Sequence, residues 1–180
     1  DIAYEVSNAE KRINALELKI DRDCENILTL YSPVAVDLRF VLSVYKTTHE
    51  LERIADIAEG ICKYVNSVTK PFPTKAIEDV RISEMFSQCK SMMEDVISAF
   101  ENEDTSIARK VFKKDELLNQ INEVASNSII KNYNEKDAKS LFFLLSCVRK
   151  LERAGDLNKN IAEELIFSIE SNVVKHQKKK

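Results

Sequence analysis

Glycine and proline are scarce in this chain, two and three in 180 residues, and tryptophan is absent. Multi-stranded folds depend on those two residues for their turns. Their scarcity excludes such folds, and a composition rich in Leu, Ala, Ile, Glu and Lys predicts an all-α protein. Long apolar runs are missing too: the longest, Leu141 to Leu145, falls far short of the ~20 residues that span a bilayer. Charge of one sign is not in excess, since 27 basic and 30 acidic residues leave a net charge of −3, so there is no footprint for nucleic acid. Cys24, Cys62, Cys89 and Cys147 form no Cys-x-x-Cys and follow no secretory leader, which fits buried thiols in a reducing, cytoplasmic setting without disulfides. The chain opens on Asp1 and is helix-like from the first residue, so a parent protein extending upstream is expected.

Catalytic patterns are also lacking. No Gly-rich phosphate loop or Glu-x-x-His motif is present, no spacing supports a nucleophile triad, and di-iron carboxylate bundles normally carry two Glu-x-x-His motifs. His49 stands three residues before Glu52, the reverse order, and His176 lies near the basic end Lys178-Lys179-Lys180. Both histidines read as surface or partner-contact residues. The chain is therefore not expected to be an enzyme.

What the sequence does contain is one acidic helix motif written twice, Leu51-Glu52-Arg53-Ile54-Ala55-Asp56 and Leu151-Glu152-Arg153-Ala154-Gly155-Asp156, one hundred residues apart. Carboxylates four residues apart share a helix face and repel. Met once, such a pair is ordinary; met twice in matching contexts, it points to a shared cation, either a metal ion or the basic side chains nearby.

Apolar spacing of three and four predicts helices over 2–30, 33–68, 74–100, 105–132 and 134–171. The first carries a stripe of Ile2, Val6, Ala9, Ile13, Leu16, Ile20, Cys24, Ile27 and Leu30, and the second one of Val41, Val44, Leu51, Ile54, Ala58, Ile61 and Val65. Ser32-Pro33, Thr74 and Asn134 are the expected starts of the second, third and last helices, Asp137 completing a capping-box-like pattern. Pro71-Phe72-Pro73 divides the chain into a first unit, 1–70, and a second, 71–180. Aligning the halves pairs Asp37 with Asp137, Arg39 with Lys139, Leu51 with Leu151 and Ile61 with Ile161, and leaves the helix at 74–100 without a counterpart. A helix upstream of Asp1 would complete the first unit.

A second set of polar residues falls on the neighbouring helices, Glu10, Asn14 and Glu17 in one half and Asp115, Asn119 and Asn122 in the other. Carboxylate and amide oxygens without thiolate suit hard cations and iron. The competing reading pairs each acid with Arg12, Arg53, Arg153 or a neighbouring Lys. Arg39, Arg53, Arg153 and Lys139 in turn read either as neutralising these acids or as contacts to phosphate or an acidic partner.

Pro33-Val34-Ala35-Val36-Asp37-Leu38-Arg39 with Glu50 to Ala58, then Lys150 to Asp156 with Asn160-Ile161-Ala162-Glu163, resemble the two signature helices of the PhoU family, and Val173-Val174-Lys175-His176 resembles the end of its soluble members. The resemblance implies tandem three-helix bundles related by a pseudo-twofold axis, the first N-terminal helix being absent from this chain. It implies a cytoplasmic negative regulator of phosphate uptake, an adaptor between the phosphate ABC transporter ATPase and its sensor histidine kinase; a homodimer is a further expectation. It also implies divalent metal or iron (Mg, Mn, Fe or Zn) at Glu52, Asp56, Glu152 and Asp156, helped by Glu10, Asn14, Asp115 and Asn119. Gly60 opposite Asn160, Asn122 opposite Glu17, and Ala138-Lys139 in place of Leu-Arg depart from the family pattern, and unequal metal sites would follow. The cytosolic domain of a sodium–phosphate cotransporter is the rival role.

Overall fold

The computed structural model describes residues 2–68, 70–132 and 138–171, the side chains of 130–132 excepted. Expectations resting on Asn134, Asp137, His176 and the basic end lie outside the described residues. Six helices and no strand occur among those described: α1 Ile2–Tyr31, α2 Ala35–Asn66, α3 Thr74–Asp79, α4 Ile82–Asn102, α5 Thr105–Asn132 and α6 Ala138–Glu170. No described helix is long and apolar enough to cross a membrane.

Three helix boundaries differ from expectation. Ser32 takes a left-handed φ of 46° and terminates α1 as such residues do, so Val34, extended and without a side-chain cap, precedes α2. Thr74 is the first helical residue rather than the cap; the Pro73 carbonyl accepts the N–H groups of Ala76 and Ile77 at 2.9 and 3.1 Å. The single helix expected over 74–100 is broken at Arg81, whose φ is 52°. Fully buried Ala76 and Val80 before the break, and Met85 after it, show that both pieces are packed. Asp104 caps α5, accepting the Ser106 N–H on Oδ1 at 2.8 Å.

The core is unevenly divided. Buried side chains of α3, α4, α5 and α6 make one cluster, which Ile57 of α2 joins. In α1, by contrast, Cys24 is the buried residue, and Ile2, Leu16 and Leu30 of the expected stripe are 76, 55 and 72% exposed. Ala9, Ile27, Leu51, Ala58 and Val65 are exposed as well. The physical reason is that, among the described residues, α1 packs chiefly along α2, whereas α6 receives α2, α4 and α5. A helix held on one side buries one narrow line, not a full stripe.

Helices α2 and α6 cross as an antiparallel, self-complementary pair. Ser43 Oγ donates to the Glu164 carbonyl at 2.9 Å and Asn160 Nδ2 to Glu50 Oε1 at 3.4 Å. Further along, the Lys150 side chain lies over Gly60, and the Tyr64 and Phe143 rings are 5.5 Å apart. Position 43 thus meets 164 as 64 meets 143, and 50 meets 160 as 60 meets 150. Each pairing recurs with its halves exchanged, the mark of a twofold relation between the two repeats.

Candidate metal grooves

The second acidic groove lies between α5 and α6. Gly155 permits the close approach: a Cβ there would fall 2.3 Å from Leu118 Cδ1 and 3.6 Å from Asp115 Oδ1. Asp115 is 2% exposed. Its Oδ2 accepts from Lys159 Nζ at 3.0 Å and from Asn119 Nδ2 at 3.3 Å, while Oδ1 is buried and unpartnered. Burial, then the charges of Asp156 and Asp115, raises the Glu152 carboxyl above its ordinary range. Burial and Asp115 raise Asp156 against the opposing pull of Lys159. Burial works against the Lys159 ammonium, yet its hydrogen bond and ion pair with Asp115 lift its pKa. Three carboxylates thus face one ammonium, an excess of two negative charges. Cys89 sits beside this groove with Sγ 3.1 Å from the Leu151 carbonyl, and burial together with Asp115 pushes its thiol up to about 12.

The first groove, between α1 and α2, repeats the design in a shallower form. Asn14 donates to Glu10 as Asn119 does to Asp115, and Asn14 Oδ1 is again buried without a partner. Glu52 is half-buried and Asp56 exposed. Burial, followed by Asp56, Glu17 and Glu10, raises the Glu52 carboxyl against the opposing pull of His49. Here Glu59 occupies the place of Lys159 in the repeat, and its partners are Ser7 Oγ and Lys63. The groove therefore lacks the buried-acid ammonium of its twin.

Of the residues singled out from sequence, Glu52, Asp56, Glu10 and Asn14 come together in one groove, and Glu152, Asp156, Asp115 and Asn119 in the other. An orphaned buried oxygen in each, surrounded by mutually repelling carboxylates, fits a hard cation. The arginines are elsewhere. Arg53 pairs with Glu50 at 2.9 Å and Arg153 is exposed; Arg39 is half-buried with Nε sealed and unpartnered. Lys139 is exposed. Sequence reading missed Lys159, although a residue seven positions after Glu152 lies two turns on along the same face. It also missed Asp21, whose spacing from Glu17 equals that of Asp56 from Glu52, and it took His49 for a surface contact. The His49 side chain is 43% exposed, and its Nε2 lies 3.8 Å from both Glu17 Oε1 and Asp21 Oδ2. The four cysteines are free, Cys62 half-buried and the others buried.

A duplicated helical scaffold with one acidic groove per repeat defines a class of helical-repeat protein. Comparison with known proteins gives that class its family. The PhoU domain matches residues 1–65 and 82–165. The phosphate-specific transport system accessory protein PhoU homolog of Aquifex aeolicus is 32% identical over 98% of this chain and 80% of its own length. The accessory protein PhoU of Escherichia coli is 30% identical over 98 and 73%. The crystal structure of PhoU from Pseudomonas aeruginosa superposes with a TM-score of 0.86 at 26% identity, covering 94% of this chain and 82% of that one. The phosphate transport system regulatory protein PhoU from Streptococcus pneumoniae gives 0.83 at 28% identity, covering 96 and 81%. The chain belongs to the PhoU family, whose members are accessory and regulatory proteins rather than enzymes.

Proposed function

We propose that this protein is a cytoplasmic accessory regulator of phosphate uptake, an adaptor that docks on the ATPase of a phosphate ABC transporter and on a sensor histidine kinase and holds the phosphate-starvation response off when phosphate is plentiful. It reaches the membrane through those partners and works as a homodimer. The observation that carries the reading is the match to transport accessory proteins along 98% of the chain. Docking biases kinase output by favouring one of two states, as any differential binding must. Arg39, Arg53 and Arg153 serve as contacts to acidic partner surfaces.

Divalent metal or iron (Mg, Mn, Fe or Zn) occupies the two grooves in this reading, held by Glu10, Asn14, Glu52 and Asp56 and by Asp115, Asn119, Glu152 and Asp156. When bound, such an ion supplies charge neutralisation. Beside the grooves, Ser7 ties α1 to Glu59 of α2, and Lys159 ties α6 to Asp115 of α5, fixing the surface that partners read. The test removes the gene and follows a phosphate-starvation reporter in phosphate-rich medium. Constitutive reporter expression, reversed by the wild-type gene, is the expected result; normal repression without the gene overturns the proposal. Elemental analysis of chelator-free protein beside Asp56→Ala/Asp156→Ala tests the grooves, with metal expected in the wild type and depleted in the variant.

A further inference from the structure

We propose that Glu17, Asp21 and His49 form a nitrogen-and-oxygen site for a transition metal such as Zn²⁺, adjoining the first all-oxygen groove but with its own ligand set, and present in the first repeat alone. One ligand atom from each of the three lies within 4.8 Å of the others. Glu17 and Asp21 stand one turn apart on α1, and His49 reaches them from α2, so the site would bridge two helices. Around a tetrahedral ion with ligands near 2.0–2.2 Å, ligand atoms sit about 3.4 Å apart. The 3.8 Å separations of His49 Nε2 from Glu17 Oε1 and Asp21 Oδ2 are too long for hydrogen bonds and within a few tenths of an ångström of that arrangement.

An independent observation fixes the imidazole. Nδ1 lies 2.9 Å from the Tyr45 carbonyl oxygen, which can only accept, so Nδ1 carries the proton. In the neutral ring Nε2 is then a lone pair facing two carboxylates. A metal-binding histidine characteristically donates its other N–H to a backbone carbonyl in this way, which sets the tautomer and the ring orientation. The Tyr45 ring, 4.7 Å from the imidazole centroid, holds it in place. Asp21 Oδ1 is sealed from solvent without a hydrogen-bond partner, while the His49 side chain is 43% exposed, leaving a way in for an ion. The repeat supplies the contrast. The positions equivalent to Glu17, Asp21 and His49 are Asn122, Ser126 and Arg149, which offer no such set.

The chain has two histidines, so His176→Gln leaves the His49 ring alone in the imidazole region of a ¹⁵N spectrum. Metal-stripped full-length H176Q is titrated with Zn²⁺. The expected result is a shift of Nε2 saturating near one equivalent, with Nδ1 still protonated, and its loss in the added variant Glu17→Gln/Asp21→Asn. His49→Gln should weaken one zinc site by ~10-fold or more. A ring that stays doubly protonated and indifferent to Zn²⁺ overturns the proposal, as does a shift that disappears in Glu52→Gln/Asp56→Asn, which would place His49 in the groove itself. Absence of the shift in protein that still takes up zinc rejects this site and leaves the grooves standing. Persistence of the shift in E52Q/D56N, with metal uptake otherwise lost, supports a site with its own ligand set. Circular dichroism on each variant confirms that the fold is kept.

Discussion

Each groove is built from partly buried carboxylates that repel one another, and burial together with that repulsion has a measurable sign. Glu152 and Asp156 ionise less readily in the folded chain than their ordinary values of 4.5 and 3.8, so their stabilising contribution is complete below those values. It is lost as pH rises through the raised folded ones. In metal-free protein Glu152→Gln should therefore match wild type near pH ~4 and exceed it by ~1–2 °C in Tm at pH 7. Added Mn²⁺ or Mg²⁺ should reverse the order, because only the wild type keeps both carboxylates. Thermal melts across pH, with and without metal, check this; equal melting temperatures at every pH would show the pair uncoupled. The acids were legible in sequence because i, i+4 spacing and duplication are written in one dimension. Lys159 was not, since its pairing with Asp115 depends on how α5 meets α6. His49 was hidden for the same reason, its partners lying on a different helix.

At the level of elements, the two glycines have opposite meanings. Gly155 sits against Leu118, a fully buried side chain, so Gly155→Ala must displace packed core and should cost ~1–3 kcal/mol despite its helix propensity. Gly60 meets the far end of Lys150, which can swing aside, so Gly60→Ala should be neutral or stabilise by up to ~1 kcal/mol. Denaturant unfolding of both variants decides it, and a common sign would refute the contrast. Helix number and type followed from apolar spacing with little loss, but two features did not. The break at Arg81 requires a left-handed backbone at a residue that does not advertise it, and the exposure of Leu16 and Leu30 depends on how few neighbours α1 has. Periodicity states which face is apolar; it does not state what covers that face.

For the whole molecule, the seam between α2 and α6 is the main joint between the halves. If it carries their association, a chain cut at the connection around Pro71-Phe72-Pro73 should stay together. An engineered protease site there, followed by cleavage and gel filtration, is expected to give a two-fragment complex eluting like the intact protein; separation of the fragments would assign the association to the connection instead. The seam has the symmetry of a homodimer interface held within one polypeptide, and that has a consequence for how it can change. In a true homodimer every substitution is made twice, so a lysine crossing the axis must find the same glycine on both sides. Here the two crossings are independently heritable: Lys150 over Gly60 on one side, Glu50 bonded to Asn160 on the other. A duplicated gene is thereby free to specialise one repeat while the other keeps the original fit.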